Sequence, residues 1–342
     1  MEGEVLRVSR PSAGPGEVLV DVASAGICGS DLHALRGDPG FEWLEPPVVM
    51  GHEFGGRVAE LGEGVTGLSV GDAVVAMSIQ GCLTCEICRM GTTQLCADRR
   101  IVGLSYNGGL AESCVVPAGH LVRVPDEVPI VQAAIAEPLS VAVRAVLRRD
   151  LVRPGERVVV SGPGPIGLLS ARLAQLAGGR VCLVGGPSDR ARRLPIAEAW
   201  DIETTTVDGP SPETVLGGAP DAWIEASGAA PALGAAIDQV RRGGVVSVVA
   251  LYADALSFFA TSAVRRELTI SCSYASAHGD YVRALELLAS GAVDPTQMID
   301  QFPLQQARRA FDAAYAGTVV KPLIVPSGDW PAPGHGRPDR GS

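Results

Sequence analysis

The sequence predicts an α/β chain made of a β-barrel or sandwich followed by a parallel sheet covered on both faces. Three observations carry this. Up to about residue 125 the chain reads as short strands broken by turn residues. From about residue 133 the apolar period becomes helical. From residue 157 onward nearly all-apolar strands alternate with amphipathic helices, the pattern of a parallel sheet covered on both faces.

The first strands read EVLVDVA (17–23), GRVAELG (56–62), DAVVAMS (72–78) and ESCVVPA (112–118), punctuated by GDPG, GEGV and NGG. AAIAEPLSVAVRAVLRR follows with helical spacing, and Pro138 marks an early turn or kink in it. RVVVSG (157–162) precedes the helix PIGLLSARLAQLAG, and RVCLVGG (180–186) precedes a helix-like arginine-rich stretch. DAWIEASG (221–228), VVSVVALY (245–252) and LTISCSY (268–274) continue the strand series. YVRALELLASG and QQARRAFDAAYAG are helical, and VVKPLIVP is a last strand. The Pro/Gly-rich tail SGDWPAPGHGRPDRGS is expected to be disordered.

Length and charge narrow the function. A chain of 342 residues has room for about two domains. Acidic residues outnumber basic ones 38 to 28, and no basic patch is segregated, so a nucleic-acid partner is excluded. Hydrophobic residues at 46% and charged residues at 19% support a sizeable core and exclude disorder. No apolar run approaches the ~20 residues needed to cross a bilayer, and MEGEVLRVSR lacks the apolar core of a signal peptide. The expectation is a cytoplasmic protein without a membrane partner. Lys321 is the only lysine, and the sequence assigns it no role.

Eight cysteines are too few for a disulfide scaffold, but their placement is informative. Cys82, Cys85, Cys88 and Cys96 stand at x2, x2 and x7 spacing, so four thiolates can surround one ion tetrahedrally. Such a closed site leaves no position for substrate and points to a structural zinc; an iron–sulfur cluster is the rival. Upstream lie Cys28 in GICGSDLH and His52–Glu53 in GHE. Thiolate, imidazole and carboxylate together suit a catalytic zinc with an exchangeable position.

The last motif is Gly162-Pro163-Gly164-Pro165-Ile166-Gly167, between a strand and a helix. In that context G-x-G-x-x-G reads as a dinucleotide-binding turn. Gly162 permits the tight turn, Gly164 lets the backbone approach a pyrophosphate, and Gly167 lets helix pack on strand. Pro165 suits the first helical turn, where no backbone donor is needed, and the helix N-terminus faces the phosphates.

Cys28, the GHE triplet, the four-cysteine lobe and the later glycine turn occur in the order seen in zinc-dependent medium-chain alcohol dehydrogenases, which the chain resembles over nearly its whole length. Within that family it is most similar to the sorbitol (polyol) and threonine dehydrogenase branch, through Glu137 in AEPLSVAVRA and through LELLASGAVD, FPLQQARRAF and VKPLIV. The resemblance implies an α/β chain with a GroES-like, partly open β-barrel catalytic domain over 1–138, completed by 275–342, and a doubly wound Rossmann domain over 139–274, with the active site between them. It implies two zinc ions, one catalytic and one structural. The catalytic ion would be held by Cys28, His52 and one or both of Glu53 and Glu137. Ser30 and His33 match the relay that carries the alcohol proton to solvent, and Asp31 resembles the carboxylate that orients the zinc-bound His52. Departures from the family are a start about one strand late, Trp200 in LPIAEAWDIE, and the absence of an arginine in CSYASAHGDY. Phe41 and Trp43 either line the pocket or belong to a surface loop.

The activity these residues imply is hydride transfer between NAD(P) and a secondary alcohol, whether polyol, sugar, cyclitol or amino alcohol. The rivals are a zinc-free enone or quinone reductase on the same fold and a non-catalytic NAD(P)-binding protein. The family is usually a homodimer or homotetramer. Cofactor choice follows from the end of the second parallel strand, where an NAD site carries Asp or Glu. Gly185 and Gly186 stand there instead, followed by Ser188 and Arg190, with Arg192 and Arg193 beyond, a set that suits a 2′-phosphate. This favours NADP, while Asp189 on a slightly longer turn would restore NAD.

Overall fold

The structure is a computed structural model that describes residues 4–252 and 255–326; the tail expected to be disordered, 327–342, lies outside the described residues. The first part of the chain forms β1 (Glu17–Gly26), β2 (Glu53–Leu61), β3 (Ala73–Ala76), β4 (Ile79–Gln80), β5 (Arg100–Ile101), β6 (Ser113–Pro117) and β7 (Leu121–Arg123). The middle forms β8 (Arg157–Ser161), β9 (Arg180–Gly185), β10 (Glu203–Thr206), β11 (Ala222–Glu225), β12 (Val245–Val248) and β13 (Thr269–Cys272), and the end forms β14 (Ile299–Pro303) and β15 (Lys321–Val325).

The barrel sheet runs β14-β15-β1-β2-β3-β7, with β6 also on β1. β1 is its pivot. One edge pairs with β2 along most of its length, while the other is shared by β6 at Glu17–Asp21 and β15 at Ala25–Gly26. The C-terminal segment therefore closes the sheet that the N-terminal segment begins. This seats Lys321 beside the end of β1.

The second sheet is parallel, ordered β10-β9-β8-β11-β12-β13. Renumbered from β8 this is 3-2-1-4-5-6, the dinucleotide-binding order, whose crevice opens between β8 and β11 at the carboxyl ends. β8 is buried over Val158–Ser161, as a central strand covered on both faces requires.

The helix Ala136–Val146 leads from the barrel into the parallel sheet and packs against the helices Pro165–Leu176 and His278–Ala289. It keeps Pro138 in its first turn, where the missing N–H has no intrahelical acceptor to lose. One apolar cluster runs from Val75 and Met77 through Ala136, Leu139 and Val143 to Val160, Leu168 and Tyr281. Each buried aliphatic side chain in it contributes about 1.5–3 kcal/mol. The two sheets thus share a core.

Two differences from the sequence expectation concern polar segments. Glu203–Thr206 and Ile299–Pro303 are strands without apolar alternation, held by parallel pairing to β9 and β15. The arginine-rich stretch after β9 is a 3-10 turn, Pro187–Ala191, and a five-residue helix, Leu194–Glu198, because Pro187 and Pro195 each restart the chain.

Candidate active site

β1 ends in Gly26, and the next residues turn Cys28 into the N-cap of the helix Gly29–Arg36. Asp31, with no solvent exposure, accepts the Cys28 N–H through Oδ2 at 2.9 Å, while its Oδ1 stands 3.3 Å from His52 Nδ1. One carboxylate thus caps the helix and faces the imidazole. The other ring nitrogen, His52 Nε2, lies 3.3 Å from Ser30 Oγ. Burial opposes a charge on His52, but Asp31 and then Cys28 outweigh it and raise its pKa well above the ordinary value.

Glu53 begins β2 opposite Gly26, and a Cβ at Gly26 would strike its carboxylate and come within 3.3 Å of Lys321 Cε. The space that glycine leaves is filled by an ion pair between Glu53 Oε2 and Lys321 Nζ, both side chains being at most 2% exposed. Lys321 Nζ also donates to Ile27 O at 3.2 Å. Burial works against the ammonium, yet Glu53 and Cys28 hold its pKa above the ordinary value. Breaking such a buried pair from one side costs about 3–5 kcal/mol.

Cys28, His52 and Glu53 each bring a ligand atom within 4.8 Å of the others. Soft sulfur, imidazole and carboxylate at this spacing form a donor set that fits zinc. Glu137 is not part of that mutually close set, though it is buried nearby. Burial, then the charge of Glu53, pushes its pKa up to about 7, against the pull of His52, the Ser78 hydroxyl and Lys321. Acidic groups crowd this corner, and a bound cation would relieve them.

Ser30 and His33 share one face of the helix, three residues apart. The His33 side chain is 45% exposed, with Nδ1 2.7 Å from Asp38 Oδ2, and its ring stacks on Phe41 at 6.2 Å. Trp43 is 47% exposed and donates through Nε1 to Gly40 O, so it belongs to the loop surface.

The four-cysteine lobe closes on itself. Cys82 and Cys88 Sγ are 4.0 Å apart, and Cys85 and Cys96 Sγ 3.8 Å. Zn–S bonds of about 2.3 Å at tetrahedral angles place sulfurs about 3.8 Å apart, so the lobe fits zinc. Gly81 makes room for it: a Cβ there would meet Cys88 Sγ at 2.6 Å. The Thr84 hydroxyl and nearby backbone N–H groups lower the Cys82 pKa to about 6, whereas burial pushes Cys88 up to about 12.

In the crevice, Gly162 has φ +93° and sits so close to Ser227 that a Cβ would lie 2.5 Å from Ser227 Cα. A Cβ at Gly167 would collide with Gly162 O, whereas one at Gly164 meets nothing within 4 Å. Packing therefore demands the outer two glycines, and open space lies over the middle one. Pro165 and Ile166 open the helix Pro165–Leu176. Beyond β9, Gly185 packs against Asp189, whose Oδ2 accepts the Gly186 N–H at 2.8 Å and whose Oδ1 is 3.3 Å from Arg193. Ser188 is exposed, and Arg190 donates to Thr206 Oγ1 and Asp208 Oδ1, each at 2.7 Å.

Residues 14–126 match the alcohol dehydrogenase GroES-like domain, and residues 165–290 match the zinc-binding dehydrogenase domain. A sorbitol dehydrogenase of Halalkalibacterium halodurans is 32% identical over 92% of this chain and 93% of its own. The chain belongs to the zinc-dependent medium-chain alcohol dehydrogenases. An alcohol dehydrogenase of Thermus sp. ATN1 superposes on it with TM-score 0.83 at 31% identity, covering 96% of each chain. A chain of Sinorhizobium meliloti 1021 solved bound to NADP gives TM-score 0.83 at 30% identity, covering 93% of this chain and 94% of that one. As a medium-chain dehydrogenase it is an oxidoreductase acting on CH–OH groups with NAD(P). Among the described residues no helix is long and apolar enough to cross a membrane.

Three residues near this dehydrogenase site escaped the sequence reading: Lys321, Ser78, and Tyr281, whose hydroxyl bonds Ser78. A fourth, Glu225, has no exposure at the end of β11 and takes the Ser227 N–H at 2.8 Å and the Tyr252 hydroxyl beside the glycine turn. The available signal for Lys321 was its singularity, a lone lysine where arginine supplies every other fixed positive side chain. Nothing local marked the other three.

Proposed function

We propose that the chain transfers a hydride between NAD(P) and a secondary alcohol, whether polyol, sugar, cyclitol or amino alcohol, using zinc held by Cys28, His52 and one or both of Glu53 and Glu137. The observation that carries this is the close Cys28–His52–Glu53 set, a donor group suited to zinc. When bound, zinc would act as Lewis acid on the substrate oxygen and the nicotinamide would exchange the hydride. Ser30, whose Oγ stands by the ligating nitrogen of His52, takes the alcohol proton, and His33, half-exposed on the same helix face, releases it to solvent. Asp31 holds the imidazole with Nε2 forward. A second zinc in the Cys82–Cys85–Cys88–Cys96 lobe stabilises the fold.

Gly162, Gly164 and Gly167 shape the pyrophosphate turn. NADP is the preferred cofactor in this reading, with Gly185 leaving room and Ser188 and Arg190 binding the 2′-phosphate; Arg190 is 54% exposed and can leave Asp208 for a phosphate. The catalytic unit is 1–138 with 275–342, and the cofactor unit 139–274. The free cysteines suit a reducing cytoplasm. A homodimer or homotetramer is the assembly in this reading; among the described residues β13 ends its sheet, and Leu251, Phe259 and Val264 are exposed. The test is a panel of secondary alcohols and ketones with each nicotinamide cofactor, followed at the absorbance of the reduced form. Turnover with a higher kcat/KM for NADP is expected; no turnover across the panel in zinc-loaded protein contradicts the reading.

A further inference from the structure

A dinucleotide on the glycine turn puts its adenosine ribose at the end of the second parallel strand, here Gly185 and Gly186 after β9. No carboxylate stands on the strand end itself, yet one is delivered there from the turn Pro187–Ala191. The Asp189 N–H donates to Gly186 O at 3.0 Å, and Asp189 Oδ2 accepts the Gly186 N–H at 2.8 Å. Main chain and side chain together bolt this aspartate to the strand end. A Cβ at Gly185 would stand 3.0 Å from Asp189 Cβ and 3.1 Å from Pro163 Cγ in the glycine turn. The Asp189 side chain, 13% exposed, therefore sits at the ribose corner.

A bare carboxylate there would accept from a ribose diol and repel a 2′-phosphate, which carries about 1.5 to 2 negative charges at neutral pH. Asp189 is not bare. Arg193 Nη1 donates to its Oδ1 at 3.3 Å, and the Arg193 N–H donates to Asp189 O at 3.0 Å, so one turn of chain sets the pair. Arg193 is lodged in place: 27% of its side chain is exposed, and a Cβ at Gly317 would stand 3.5 Å from its Nη2. Arg190 is held more loosely, 54% exposed, with Nη2 donating to Thr206 Oγ1 and Asp208 Oδ1. The two ion pairs, Asp189–Arg193 and Arg190–Asp208, carry no net charge between them. Loss of Arg193 would leave that sum negative, and loss of the Asp189 charge would leave it positive.

We propose that Arg193 is a specificity-determining residue for the cofactor, acting through Asp189. By engaging and neutralising that carboxylate it withholds an acceptor from the ribose diol and removes the repulsion that would keep a 2′-phosphate out. Arg193 need not touch the phosphate, which Ser188 and Arg190 are placed to bind; it is a positioning residue whose lever is the charge of Asp189. The inference rests on the reading of the crevice as an NAD(P) site given above.

The test measures the equilibrium Kd of NADP and of NAD by calorimetry, without substrate, in the full chain and in three variants. The quantity read is the Kd for NAD divided by the Kd for NADP, which general damage to the site would leave unmoved. In Arg193→Gln that ratio should fall about tenfold or more, as a like charge is uncovered against the phosphate. Asp189→Asn, whose amide oxygen still accepts the Gly186 N–H, should raise it about threefold or more. The double variant restores the charge sum, so its ratio should return close to that of the unaltered protein. An unchanged ratio in folded Arg193→Gln would overturn the inference while leaving the cofactor site intact. A fallen ratio that Asp189→Asn does not restore would also overturn it, since Arg193 would then bind the phosphate itself. Failure of the unaltered protein to bind either cofactor would overturn the reading of the crevice and the inference with it. Should Arg193→Gln fail to fold, Asp189→Asn decides alone, an unchanged ratio being the contradicting result.

Discussion

The two candidate metal centres are built on opposite plans. Cys82, Cys85, Cys88 and Cys96 come from fifteen consecutive residues, carry sulfur alone and close a tetrahedron on themselves. The Cys28–His52–Glu53 corner mixes three kinds of donor, and its buried counter-charge, Lys321, arrives from the other end of the chain. The first centre is a local clasp, and an ion bound there would substitute for the core the loop lacks. The second is a place where the tertiary fold holds charges that would separate in water. A closed set of like donors stabilises, whereas an open set of unlike donors, held by the whole fold, can exchange a ligand.

That contrast can be broken most forcefully at the clasp. Cys88→Ser should release the structural ion, whose binding is worth about 10 kcal/mol or more of folding free energy. Zinc analysis should then find one ion per chain instead of two, and hydrogen exchange should show residues 82–96 opened. Native protection over that stretch would contradict a structural role for the ion.

At the open corner the largest stability effect should come from Lys321→Met, which strands Glu53 in a buried site. In metal-free protein a loss of about 3–5 kcal/mol is expected in the unfolding free energy measured by denaturant titration, partly regained when Glu53→Gln is added. A smaller effect concerns Glu137. Its pKa rises from 4.5 to about 7 on folding of the metal-free chain, so the folded state favours the protonated acid. Stability of metal-free protein should therefore fall as pH rises from about 4.5 through 7, and Glu137→Gln should flatten that fall. Parallel pH–stability curves for the two proteins would remove Glu137 from the charge balance of the corner. The smallest change is expected at the exposed end: His33→Ala should slow alcohol oxidation roughly tenfold below neutral pH, with partial rescue by added imidazole. An unchanged pH–rate profile would leave His33 a surface residue stacked on Phe41.

What could be read from the sequence divides along the same line. The clasp was legible because its ligands, spacing and function lie in one short segment. The glycine turn was legible because the strand before it and the helix after it are contiguous with it. Cys28 and His52–Glu53 came forward only as a combination of motifs, and each alone is weak. Lys321, Ser78 and Tyr281 carry no local pattern. They come together where β15 pairs with β1 and where Tyr281 bonds Ser78, contacts made between residues more than 200 positions apart. The strand Glu203–Thr206 escaped for a related reason: its threonines satisfy pairing with β9 and carry no apolar alternation.

The central claim is that one chain carries two zinc sites with separable duties. Zinc content, turnover and unfolding midpoint measured together on Cys28→Ser test it most directly. The predicted result is one zinc per chain, turnover lost by several orders of magnitude and a midpoint close to that of the unaltered protein, since the four-cysteine clasp is untouched. Two zinc ions with full turnover in Cys28→Ser would contradict the account.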